Sequence, residues 1–124
     1  MPQPPSISEA EWKVMKLLWR KAPQPAYDLA QQLCQTEPWH PRTVKTMLNR
    51  LVNKGVLAFE PYKNLYLYRP KFSEEECVMQ QSESFLKRVF DGSVSLMLVQ
   101  FVRNKKLSPS EIRKLREILN HLGD

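Results

Sequence analysis

Residues 41–55 constrain this chain more than any other stretch. Pro41 stands where a helix can open, because a proline in the first turn gives up only an N–H that has no intrahelical partner. Gly55 stands where a helix can close, in the left-handed conformation that glycine adopts without strain. Between them Val44, Met47, Leu48, Leu51 and Val52 recur at helical spacing, and Arg42, Thr43, Lys45, Thr46, Asn49 and Arg50 fall off that stripe. A helix with one apolar side must lay that side on other elements, so the flanking sequence has to supply them.

It does so on both sides. Upstream, Ser8 with Glu11 forms a capping box and predicts a helix from near Glu9 carrying Trp12, Val14, Met15, Leu17, Leu18 and Trp19. Pro23 and Pro25 stop it. A second helix is predicted from about Ala26 to Gln35, with Leu29, Ala30 and Leu33 on one face, followed by the connector Glu37-Pro38-Trp39. Downstream, two β-like runs, Val56 to Glu60 and Leu65 to Arg69, flank Pro61-Tyr62-Lys63-Asn64, which has turn composition. Tyr66 and Tyr68 share one strand face, and alternation alone does not say whether that face is buried. Helix, helix, helix and hairpin over residues 7–71 predict a winged helix, in which the third helix enters the major groove and the hairpin touches the backbone beside it.

The character changes from Ser73. Ser73 precedes Glu74-Glu75-Glu76, acids suited to a helix N-terminus, and that helix is expected to run to about Phe90, where Gly92 breaks it. Val94 to Val102 is apolar nearly all round. Ser108 and Glu111 frame Pro109 in a second capping box, and the helix they open carries Ile112, Leu115, Ile118, Leu119 and Leu122 on one stripe. The predicted fold is therefore mainly α: a winged-helix DNA-binding domain over 7–71, then a three-helix dimerisation region over 72–124. The apolar run Leu96, Met97, Leu98, Val99, Phe101 and Val102 exceeds what one companion helix can cover, which makes a second copy of the chain its natural cover. Two-fold symmetry would then match a palindromic site.

Charge placement favours nucleic acid. Of the 19 basic and 13 acidic residues, seven basic ones and a single acid, Glu60, lie between His40 and Lys71, and the remainder of the chain balances. An excess confined to one stretch is the footprint of a polyanion site. Arg42, Thr43, Lys45, Thr46, Asn49 and Arg50 on the third helix, Lys54 at its end and Lys63 at the hairpin tip are the candidate contacts. Arg can read guanine with two bonds, Thr can meet a thymine methyl, and Lys and Arg neutralise phosphate. A winged helix used for protein–protein contact, the competing reading, would carry an apolar or acidic third-helix face. Enzyme signatures are missing: no Gly-rich phosphate loop, no HExxH and no nucleophile elbow occurs. Cys34, Cys77, His40 and His121 lack metal-ligand spacing, so neither a metal nor another cofactor is expected. The start, Met1 to Ser6, is Pro-rich and uncharged, unlike a signal peptide, and no apolar run could span a membrane, so the expected location is cytoplasmic.

Several stretches together resemble the penicillinase and methicillin-resistance repressor family. They are Ile7-Ser8-Glu9-Ala10-Glu11-Trp12, Trp39-His40-Pro41-Arg42-Thr43-Val44-Lys45-Thr46, Asn49-Arg50-Leu51 and Lys54-Gly55. Further on, Ser84-Phe85, Leu98 to Val102, Leu107-Ser108 to Glu111, Leu115-Arg116 and Ile118-Leu119-Asn120 are similar to it as well. The resemblance implies a repressor that binds inverted repeats of the TACA…TGTA type as a homodimer, with Arg42, Thr43, Lys45 and Thr46 as operator readers. In the commonest family pattern Lys stands at position 42 and Arg at 45, a swap that is not neutral where two bonds are made to one base. It also implies release through a membrane-bound sensor metalloprotease system that cuts between an Asn and a Phe. Gln100 and Phe101 hold the matching positions here, Gln replacing Asn.

Overall fold

The computed structural model describes residues 3–123; the start read from Met1 and the end of the second region at Asp124 extend past them. The elements run α1 (Glu9–Arg20), β1 (Gln24–Pro25), α2 (Ala26–Thr36), α3 (Pro41–Lys54), β2 (Leu57–Tyr62), β3 (Leu65–Pro70), α4 (Glu74–Phe90), α5 (Val94–Arg103) and α6 (Pro109–Leu122). The fold is mainly helical with one small antiparallel sheet, as expected.

Local chemistry sets the helix ends. Both capping boxes form: Ser8 Oγ accepts from the Glu11 N–H at 3.1 Å while the Ser8 N–H donates to Glu11 Oε1 at 2.8 Å, and Ser108 and Glu111 repeat the exchange. A third reciprocal pair, Ser73 with Glu76, opens α4. Gly55 takes φ 84° at the end of α3, and its N–H donates to the Leu51 and Val52 carbonyls. Gly92 takes φ 82° after α4, where its N–H donates to the Leu86 carbonyl at 2.8 Å.

The sheet differs from the expected hairpin by one strand. Gln24 and Pro25 pair with Tyr68 and Leu67, so the order is β1-β3-β2 and β3 lies in the middle. Two residues between proline-rich flanks carry no alternation to read, which is why pattern alone predicts only a helix stop there. Strand β2 also runs on through Pro61 and Tyr62, which pair with Tyr66 and Leu65. The turn thereby shrinks from four residues to Lys63-Asn64.

Two compact units divide between Ser82 and Glu83. In the first, Val14, Met15 and Leu18 of α1, Leu29 and Leu33 of α2, and Val44, Leu48 and Leu51 of α3 form one core with Val56, Leu57 and Tyr68. Burying such side chains stabilises by about 1.5–3 kcal/mol each. The start of α4 belongs to this core: Cys77 is fully buried, Gln81 donates to the Ile7 carbonyl at 2.8 Å, and the Trp19 indole donates to the Phe72 carbonyl at 3.0 Å. For that reason the first unit reaches beyond the change of character at Ser73. Burial pushes the Cys77 thiol above its ordinary value, with Glu76 adding to the shift, the state of an inert core cysteine.

The second unit is different in kind. Neither α5 nor α6 has a buried residue. Leu98, Ile112 and Leu115 are half-buried, whereas Leu96, Val99, Phe101, Val102, Ile118, Leu119 and Leu122 are exposed. Within one chain, most of the apolar run of α5 thus stays in water.

Candidate nucleic-acid interface

Helix α3 is held from behind and left open in front. Its stripe Val44, Met47, Leu48 and Leu51 is buried, and Arg42, Thr43, Lys45, Thr46, Asn49 and Arg50 are all exposed. The N-terminal end is fixed by His40, whose Nδ1 accepts from the Arg42 N–H at 3.1 Å. That bond makes His40 the N-cap of the helix that opens at Pro41. Thr46 donates its hydroxyl to the Arg42 carbonyl at 3.0 Å, leaving an acceptor oxygen and a methyl to offer.

Among the described residues the cations of this face make no ion pair; the pairs found are Lys13 with Glu37 and Lys54 with Glu11. Arg42, Lys45 and Arg50 therefore pair with no described carboxylate, and α3 has no acid in its first turn. A helix N-terminus adds its own partial positive charge to theirs. The combination attracts phosphate and leaves the side chains free to reach base edges.

Lys54 is held by a carboxylate. Its Nζ donates to Glu11 Oε1 at 2.6 Å and to the Ser6 carbonyl at 3.1 Å, binding the end of α3 to α1 and the N-terminal segment. Glu11 is buried, which opposes its charge, but the bonds from Lys54 and Ser8 outweigh that and hold its carboxyl below the ordinary value. Its Oε2 has no protein partner, so the carboxylate depends on the groups at Oε1. The separation of Glu11 and Lys54 in the chain hides this pair from any local pattern.

Lys63 occupies the hairpin tip with φ 56°, the positive value that tight two-residue hairpin turns demand of a central residue. Its ammonium lies 5.4 Å from the centre of the Tyr62 ring and is otherwise exposed. On the face that β2 and β3 turn toward α3, burial is graded. Tyr68 is 5 % exposed and Tyr66 54 %. Phe59 stands between them, its ring centre 4.9 Å from Tyr66 and 6.0 Å from Tyr68.

Three core helices, the third with an open basic side, and a hairpin beside it define a winged helix of the DNA-binding class. Comparison with known proteins agrees. A family model described as penicillinase repressor matches residues 7–121. The penicillinase repressor of Bacillus licheniformis is 36% identical over 115 residues, covering 93% of this chain and 90% of that one. The methicillin resistance regulatory protein MecI of Staphylococcus aureus (strain N315) is 31% identical over 114 residues, covering 92% and 93%. The solution structure of the DNA binding domain of the repressor BlaI superposes with a TM-score of 0.55 at 34% identity, over 61% of this chain and 93% of that one. A solution structure of monomeric Bacillus licheniformis BlaI in complex with the blaP half-operator gives 0.54 at the same identity and coverage.

The chain belongs to the penicillinase repressor family. It is a DNA-binding transcriptional repressor rather than an enzyme, and the protein–protein reading of its winged helix is not favoured.

Proposed function

We propose that this protein acts in the cytoplasm as a homodimer on palindromic operator DNA, each α3 reading one half-site in the major groove. The observation that carries the reading is the outward face of α3, where Arg42, Lys45 and Arg50 stand exposed, unpaired among the described residues, beside Thr43, Thr46 and Asn49. Arg42, Thr43, Lys45 and Thr46, nearest the N-terminus, are the base readers. Asn49, Arg50 and Lys63 hold the backbone, and Lys54 serves the fold through Glu11. Repression of a β-lactam resistance gene fits its similarity to a penicillinase repressor and a methicillin resistance regulatory protein, and no described helix is long and apolar enough to cross a membrane.

Dimerisation falls to the second unit. Leu96, Val99, Phe101 and Val102 of α5 and Ile118, Leu119 and Leu122 of α6 are exposed, and Leu98, Ile112 and Leu115 half-exposed, in a single chain. A second copy gives this surface a cover that satisfies the palindrome at the same time. Release follows from cutting Gln100–Phe101, by a membrane-bound sensor metalloprotease or a protease under its control. Both residues lie in α5, so the helix must open locally before a protease can hold the bond. Cutting there detaches α6 from the DNA-binding half and removes the gain from linking two half-sites, about 10²–10⁴-fold.

The deciding experiment measures affinity for three duplexes: an intact inverted repeat, one half-site, and a scrambled sequence. Tight binding to the repeat, weaker binding to the half-site and weaker still to the scramble is expected. Equal affinity for all three would falsify operator recognition. For release, the repressor is induced together with the protease and its fragments are mapped by mass spectrometry. An intact chain in fully derepressed cells would remove proteolysis from the scheme.

A further inference from the structure

Between the polar side of α3 and the hairpin lies a cleft of 340 Å³ that the reading-helix residues alone do not explain. Its two walls differ in chemistry. Helix α3 supplies Lys45, Asn49 and Asn53, one ammonium and two carboxamides, each exposed, with half-buried Val52 beside them. The hairpin supplies Phe59 and Tyr66, which continue outward from buried Tyr68 as a ramp of aromatic surface left in water. Phe59 is 46 % exposed although it contacts both tyrosines.

A wall of hydrogen-bond donors facing a wall of aromatic carbon suits an occupant that is anionic along one edge and C–H-rich along the other. The deoxyribose–phosphate chain has that character: phosphate oxygens accept from amide N–H and ammonium groups, and the sugar offers C–H to aromatic faces. Position supports the same occupant. Lys45 and Asn49 belong both to the reading face and to the cleft, so a strand read by α3 would leave the major groove along this wall. Lys45 brings the positive charge that a phosphate needs, and the cleft residues include no acid.

We propose that this cleft clamps one sugar–phosphate step of the operator strand in each half-site, with Asn53 donating to the phosphate and Phe59 and Tyr66 packing on the deoxyribose. The assignment rests on the operator-binding reading above. It gives these three residues a positioning role: they set the depth and register of α3 without reading sequence.

The test uses the full-length protein, an inverted-repeat duplex and an unrelated duplex, with affinities measured by fluorescence anisotropy at one salt concentration. Asn53→Ala and Tyr66→Ala should each weaken both duplexes by the same factor, roughly tenfold for a lost bond to a charged group or a comparable packing loss. Tyr66→Phe should retain most of the affinity, since the ring is the contact. Replacing single phosphates by neutral methylphosphonate should reveal one position per half-site that weakens the unaltered protein about as much but adds nothing to the loss in Asn53→Ala. Thermal melting should stay unchanged in Asn53→Ala and Tyr66→Phe, because both positions are exposed.

Losses confined to the inverted repeat, unchanged binding by both Asn53→Ala and Tyr66→Ala, or additive losses at every phosphate would overturn the assignment; unchanged binding would leave the cleft to some other occupant. If the unaltered protein bound neither duplex, operator recognition itself would fall and the clamp with it. If it bound the repeat tightly and only the cleft variants were silent, the clamp alone would fall.

Discussion

Helices α3 and α6 are matched in design and opposite in outcome. Each has 14 residues, opens with a proline in the first turn behind a side-chain cap, and carries one apolar stripe. In α3 that stripe is sealed by α1, α2 and β2, and four of its residues are buried. In α6 none is, and exposure rises along the stripe to 59 % at Leu119 and 78 % at Leu122. Amphipathic spacing shows that a helix needs a cover. It is silent on whether the cover lies in the same chain.

The largest test of that difference is at Leu119. Leu119→Asp sets a charge in the surface assigned to the second copy. Sedimentation at micromolar concentration should then show a 14.6 kDa species, and affinity for the two-half-site operator should drop by about 10²–10⁴-fold. A variant that stays dimeric would move the interface elsewhere.

Next in size is the sealed stripe. Leu48→Ala removes a fully buried side chain and should lower stability by about 2–5 kcal/mol in urea unfolding, at any protein concentration. The exposed counterpart Leu119→Ala should lower it only where the dimer is populated. Equal costs for both in dilute protein would mean that α6 is already covered within one chain.

A smaller effect is expected where α3 meets α1. Lys54→Ala leaves the Glu11 carboxylate without its ammonium, and a loss of about 1–3 kcal/mol should appear in the same unfolding assay. The pH dependence has a definite sign. A carboxyl held below its unfolded value contributes stability that is present above the ordinary carboxylate range and lost as pH falls through the folded value. Glu11→Gln should therefore flatten the acid side of the stability profile, and an unchanged profile would show that Lys54 does not hold the charge. Smallest is Lys63→Ala at the hairpin tip, which should weaken operator and unrelated DNA alike and reduce the salt slope by about one. Loss of operator preference would instead make Lys63 a reader.

The same contrast explains what could be read in advance. Ser8 with Glu11, Pro41, Gly55 and Ser108 with Glu111 act over three or four residues, and each end they predict is found. Strand β1 is too short to have a period and exists because Tyr68 and Leu67 lie beside it. The pairing of Lys54 with Glu11, the bond from Trp19 to Phe72 and the different fates of Tyr66 and Tyr68 depend on what the fold brings near, which no local spacing encodes. On the interface, spacing identified which α3 side chains point outward. It did not foresee the pairing of Lys54 with Glu11, which only the fold brings about.

The strand order β1-β3-β2 carries one more consequence. An open sheet ends in two rows of backbone groups that another chain could pair with, a route to aggregation. Here each outer strand includes a proline, Pro25 in β1 and Pro61 in β2. A proline has no N–H to give and interrupts such a row. The β2 edge of the hairpin can therefore stand in water beside its aromatic rings and still resist recruiting a neighbouring strand.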